Sequence, residues 1–151
     1  TIKILALEKR YERIFEHSNL PCPIKIGGSV DRIELRNGVL RIIDYKTGRV
    51  DKNTVTLTTW TDLTKDIANE KIIQILAYAF MYQELALEQP MEAGIISFKN
   101  LKSGFLPFQF KQDKESIDLI SSQIMENYLD QIVILLQEIF NVDVPFEEKI
   151  I

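Results

Sequence analysis

Asp31, Asp44 and Lys46 are the residues whose types and spacing could do chemistry, and a turn signal fixes how they meet. They lie in residues 26–48, where two runs rich in β-branched residues and leucine flank Asn37-Gly38. That dipeptide is the strongest short-range signal for a two-residue hairpin. With Asn37 and Gly38 as the turn, Arg36 pairs with Val39, every cross-strand pair sums to 75, and Asp44 falls opposite Asp31. The pleat sends Asp31, Ile33, Leu35, Leu40, Ile42, Asp44 and Lys46 to one face, and Val30, Arg32, Glu34, Arg41, Ile43 and Tyr45 to the other. On the second face Glu34 opposite Arg41 is an ordinary charge pair. The first face is an apolar surface ending in two facing carboxylates and an ammonium. Facing carboxylates repel and ask for a cation. A divalent metal held by both, with Lys46 one pleat further on, would supply it. The alternative is a bulge that breaks the register and turns both aspartates to water. From spacing alone the two readings carry equal weight.

The rest of the chain must position these residues. Its 151 residues, 46% hydrophobic and 26% charged, predict one globular domain over 1–151 with a full core. A single cysteine, Cys22, excludes an internal disulfide. No segment is long and apolar enough to span a membrane and none resembles a signal peptide, so the expected location is the cytoplasm. The net charge of −4 counts against a free-standing nucleic-acid binder but not against a metal-dependent nuclease, whose acidic cluster is the metal site. The chain begins at Thr1 without a methionine and reads as a piece of a longer protein that carries its basic surface elsewhere.

Residues 2–16 fit a helix by the spacing of Ile4, Leu7, Tyr11 and Ile14, and fit a strand less regularly. Asn19, Pro21 and Pro23 mark a connection. Gly27 and Gly28 leave the hairpin entrance bare, so that a phosphate backbone could come close. Residues 49–62, with threonine at 54, 56, 58, 59 and 61, are long for a connection and are therefore mobile or functional. Trp60 within them could stack on a base of single-stranded nucleic acid, although such a tryptophan more often tucks its loop onto the body. Residues 65–88 predict a helix closed by Pro90 and apolar on most sides, including Ile67 and Leu85. Gln74 and Tyr78 are four apart on one of its faces, either a polar stripe or a pair aimed at the hairpin. Strands are expected at 93–98 and 105–110, joined through Lys102-Ser103-Gly104, and a second amphipathic helix at 116–140.

Gly28-Ser29-Val30-Asp31-Arg32-Ile33, then Ile43-Asp44-Tyr45-Lys46-Thr47-Gly48, then Gln74 and Tyr78 resemble the RecB-type branch of the PD-(D/E)XK nuclease superfamily. That branch carries a G-x-x-D-R-I-D strand, a D-Y-K-T-G strand and a Q-x-x-x-Y helix in this order. The resemblance is close over residues 26–82 and looser outside them. It implies a restriction-endonuclease-like α/β fold, a mixed central sheet flanked by helices. It turns residues 2–16 to strand, with Glu8 either a surface charge or an accessory to the metal. It places Gln74 and Tyr78 at the metal–phosphate site. His17 lacks the helical context of the metal-binding histidine in such nucleases and is read as a loop residue; the helix that carries that histidine is absent from this chain. The tail from Val142 resembles a segment that in relatives precedes a cysteine cluster, in some of them holding an iron–sulfur centre; Cys22 cannot substitute for it, so no such cluster is expected here.

The implied activity is Mg²⁺-dependent hydrolysis of DNA, with Mn²⁺ able to substitute, in processing DNA ends for recombination or repair beside a helicase domain or subunit. Asp31, Asp44 and the Tyr45 carbonyl would hold the metal. Lys46 would orient the attacking water and stabilise charge on the phosphate. Two other classes stand against this: an inactive module of the same fold that binds nucleic acid or a helicase, and a purely structural interaction domain. Asp31, Asp44 and Lys46 are all present, which favours activity.

Overall fold

The computed structural model of the protein describes residues 1–86 and 88–143. In chain order the elements are β1 (Ile2–Phe15), β2 (Ile24–Arg36), β3 (Val39–Lys46), β4 (Thr56–Leu57), α1 (Glu70–Ala86), β5 (Met91–Ser97), β6 (Phe105–Pro107), β7 (Gln109–Gln112), β8 (Glu115–Ile117) and α2 (Ser122–Phe140). Among the described residues β1, β2, β3, β5 and β6 form one sheet in that order, and β4, β7 and β8 a smaller one. The main sheet is mixed, because β3 runs parallel to β5 while its other pairs are antiparallel. The α1 crossover between β3 and β5 makes that parallel pair possible. With α1 packed on β1, β2, β3 and β5, this is the expected α/β architecture, a mixed central sheet with its two helices. No described helix is long and apolar enough to cross a membrane.

The hairpin forms as its turn predicts. Asn37 and Gly38 have φ of 51° and 83°, the double left-handed turn that matches strand twist and that glycine adopts without strain. The register runs from Arg36–Val39 to Arg32–Ile43, every pair summing to 75. The segment 2–15 is a strand. Its helical spacing gives way to pairing along the length of β2, from Ile2–Arg36 to Phe15–Ile24.

The face assignment fails at one point. Val30 was expected opposite Ile33, yet both are buried in the same core, with Ile26 and Leu35 packed against it. On β1, Ala6 and Tyr11 likewise reach that core although an odd step separates them. The pleat therefore changes phase on both strands near one place, where Glu8 has φ of 46° and the ladder passes from Leu7–Arg32 to Lys9–Val30 without a Glu8–Asp31 pair. The β1–β2 register also shifts by one residue between Ile4 and Ala6, a β-bulge on β1.

Three further boundaries differ from expectation. The run 105–110 is two strands in two sheets, broken at the fully buried Phe108, whose N–H donates to the Ala93 carbonyl at 2.7 Å. Ile117 is exposed on β8, and α2 starts at Ser122 because Ser121 caps it, its hydroxyl accepting from the Ile124 N–H at 3.2 Å. The first helix starts at Glu70 after a 3₁₀ turn (Ile67–Asn69) capped by Asp66, and Ile67 and Leu85 are exposed. The connection 49–62 is ordered by 3₁₀ turns and β4, with Val50, Val55 and Leu57 buried. The tail motif lies almost wholly outside the described residues.

Ser121→Ala removes the α2 cap and is expected to cost about 1 kcal/mol of unfolding free energy. Urea denaturation of both proteins measures it. An unchanged midpoint would mean that α2 does not depend on this cap.

Candidate active site

The site is built where the hairpin ladder ends. Arg32–Ile43 is the last β2–β3 pair. In the antiparallel alternation the next hydrogen-bonded pair would be Val30–Tyr45, but the phase change intervenes. The Tyr45 N–H donates instead to Asp31 Oδ2 at 2.8 Å. Asp31 and Asp44 are thus neighbours as their register implies, though through a side-chain bond rather than as ladder partners. The β3–β5 ladder continues to Lys46, whose carbonyl accepts from the Phe98 N–H at 2.9 Å. Strand alternation then puts the Tyr45 carbonyl on the β2 side, beyond the last ladder pair.

Asp44 is 5% exposed. Lys46 Nζ lies 2.8 Å from its Oδ2, so the two form a close ion pair. Burial, the largest influence, raises the Asp44 carboxyl above the usual aspartate range; Lys46 pulls down against it and Asp31 pushes up. The Lys46 ammonium also donates to Gln74 Oε1 at 2.7 Å, and Gln74 Nε2 donates to the Tyr78 hydroxyl at 2.9 Å. Burial raises the Tyr78 phenol, and the Asp44 charge adds to this. The residues singled out at 31, 44, 46, 74 and 78 come together as one linked set across β2, β3 and α1.

Gly28 has a different part from the one expected. A Cβ there would stand 3.2 Å from Tyr78 Cε1, and one at Gly27 would stand 3.2 Å from Glu12 Cγ. The bare strand receives protein side chains: Gly28 lets the Tyr78 ring lie on β2 and so fixes α1 over the hairpin. Trp60 is tucked in, stacked on Phe110 with centroids 5.3 Å apart and planes 17° from parallel. Glu8 is exposed, and among the described residues no three histidine, cysteine or acidic side chains cluster as a metal site. His17 is a loop residue whose Nδ1 accepts from the Asn19 N–H, facing a groove with Phe15, Gln83 and α2.

Sequence reading missed Lys71. It lines a cavity of about 320 Å³ with Lys46, Glu70 and Gln74. Positions 71, 74 and 78 share a helix face, a spacing that could have revealed it.

The sequence model of the PD-(D/E)XK nuclease superfamily matches residues 2–149. The chain belongs to the PD-(D/E)XK nuclease superfamily. No curated protein matches it. Solved structures that do include the crystal structure of SSO0001, 17% identical with a TM-score of 0.38, over 85% of this chain and 50% of that one. The chain thus spans about half the length of that structure.

Two neighbouring carboxylates, Asp31 and Asp44, suit a hard dication that keeps several waters. An all-oxygen pair of this kind is compatible with Mg²⁺.

The raised Asp44 carboxyl means that the folded state binds this proton more tightly than the unfolded chain. Stability should then fall as pH rises from the ordinary aspartate range, about 4, through the raised folded value. Asp44→Asn in metal-free buffer is expected to be more stable than the parent at pH 7 and to lose that advantage towards pH 4. Urea denaturation at both pH values checks this. A variant less stable than the parent at pH 7, with the deficit shrinking towards pH 4, would show that pairing with Lys46 outweighs burial.

Proposed function

We propose that this domain is a Mg²⁺-dependent deoxyribonuclease of the RecB type, trimming DNA ends in recombination or repair beside a helicase domain or subunit. The observation that supports hydrolysis best is the convergence of Asp31, the buried Asp44 and Lys46 where the hairpin ladder ends, with Lys46 Nζ 2.8 Å from Asp44 Oδ2 and Asp31 Oδ2 2.8 Å from the Tyr45 nitrogen. The RecB assignment and the end-processing role rest on the order of the three sequence motifs.

Two carboxylates against one ammonium leave the site net negative, a sign that repels phosphate. Bound by Asp31, Asp44 and the Tyr45 carbonyl, Mg²⁺ would reverse that sign, polarise the phosphodiester and acidify a bound water. Lys46 donates to a phosphate oxygen as charge accumulates there. Gln74 keeps the ammonium in place whatever the charge on Asp44, since its Oε1 accepts from Lys46. Tyr78, accepting from the Gln74 amide nitrogen, fixes which end of that amide faces Lys46. Gln74 and Tyr78 are therefore positioning residues, and Lys46 is the one that meets the reacting group.

Millimolar Mg²⁺ or Mn²⁺ is expected to raise the melting temperature by a few degrees, since it binds only the folded state. Asp44→Asn should lose that shift. Lys46→Ala should keep it while cleavage of a DNA oligonucleotide falls about 100-fold or more. A parent chain with no metal-dependent shift, or a Lys46→Ala variant that cleaves normally, would overturn the assignment.

A further inference from the structure

The site residues account for one phosphate, yet the cavity beside them holds a second ammonium. Lys71 stands three residues before Gln74 on α1, about 4.5 Å along the helix axis, and both line the same space of about 320 Å³ as Lys46. The two lysines are differently committed. Lys46 is held at 2.8 Å by Asp44 and at 2.7 Å by Gln74, whereas Lys71 has an ion pair with Glu70 at 4.0 Å, the outer limit of such a contact. Glu70 itself is largely exposed, so the pair is solvent-screened and yields easily to a stronger anion. Helix stability does not account for Lys71, which occupies the first turn of α1, where a cation opposes the macrodipole.

We propose that Lys71 is a phosphate subsite for the nucleotide next to the scissile phosphodiester, with Glu70 as the counter-charge that the backbone phosphate displaces. This rests on the nuclease reading for its substrate, a polyanionic DNA strand entering past Gln74. Lys71 touches a phosphate that does not react, so it contributes binding that is equal in ground and transition states. That confines its effect to KM and to the salt dependence.

The test is Lys71→Met, which keeps most of the side-chain length and removes the charge, with Lys71→Arg as the conservative variant and Glu70→Gln as the converse. On a DNA oligonucleotide with Mg²⁺, Lys71→Met is expected to raise KM several-fold with kcat unchanged. The slope of log kcat/KM against log salt should become shallower by about 1. Lys71→Arg should restore both, and Glu70→Gln should lower KM. Unchanged KM and slope in Lys71→Met, with a parent that cleaves, overturn the subsite and leave the nuclease reading standing. A joint fall of kcat and melting temperature makes Lys71 structural and also overturns it. If the parent does not cleave, the nuclease reading fails by itself. Fluorescence anisotropy of the same oligonucleotide then decides the subsite: equal salt slopes for parent and Lys71→Met reject it, and a shallower slope in the variant upholds it.

Discussion

A carboxylate buried at the end of a central strand is the constraint on which the rest depends. Desolvating such a group costs several kcal/mol, and Asp44 meets that cost with one close cation while a second carboxylate stands nearby. The arrangement persists because the sheet around it is strong. β3 lies between β2 and β5, with Leu40 and Ile42 fully buried on its core face. A hairpin with its own preferred turn and a parallel partner held by a crossover helix leave Asp44 nowhere else to go.

Glu34 shows what a carboxylate looks like when it serves structure alone. It is 3% exposed, close to Asp44 in burial, and sits on the facing strand. Arg32 Nε donates to its Oε1 and Arg36 Nε to its Oε2, each at 3.1 Å, so both oxygens are satisfied. Its register partner Arg41 turns away to Glu92 and lies over the Phe105 ring, so the charge pair read across the hairpin is not the one that forms. Side chains two apart on one strand edge reached Glu34 first. Two acids on one hairpin, alike in burial, differ in their surroundings: two arginines flank Glu34, whereas Asp44 has one lysine and a second carboxylate beside it.

The hairpin and its register were legible because they rest on two residues, Asn37 and Gly38, whose backbone preferences are local. The neighbourhood of Asp31, Asp44, Lys46, Gln74 and Tyr78 followed from it and from helical spacing. The phase change at Asp31 was not legible. It coincides with a left-handed backbone at Glu8 on the neighbouring strand, a conformation glutamate rarely adopts and no sequence pattern announces. The start of α2 was legible in principle: Ser121 is a good cap, but Ile117 and Ile120 extend the apolar spacing backwards and hid it. Trp60 was ambiguous from sequence because its partners, Phe108 and Phe110, come from a strand break that only tertiary structure reveals.

The linked contacts also explain why the three motifs must occur together. Tyr78 rests on the bare backbone of Gly28, which ties α1 to β2. Gln74 ties the same helix to Lys46 on β3, and Asp31 ties β2 to β3 through the Tyr45 N–H. The circuit from Gly28 through Tyr78, Gln74, Lys46 and Tyr45 back to Asp31 closes on itself. A side chain at position 28 would lift the Tyr78 ring and with it the end of the Gln74 amide that faces Lys46. A glycine that touches none of the charged groups thus helps set, through Tyr78 and Gln74, where the Lys46 ammonium is held.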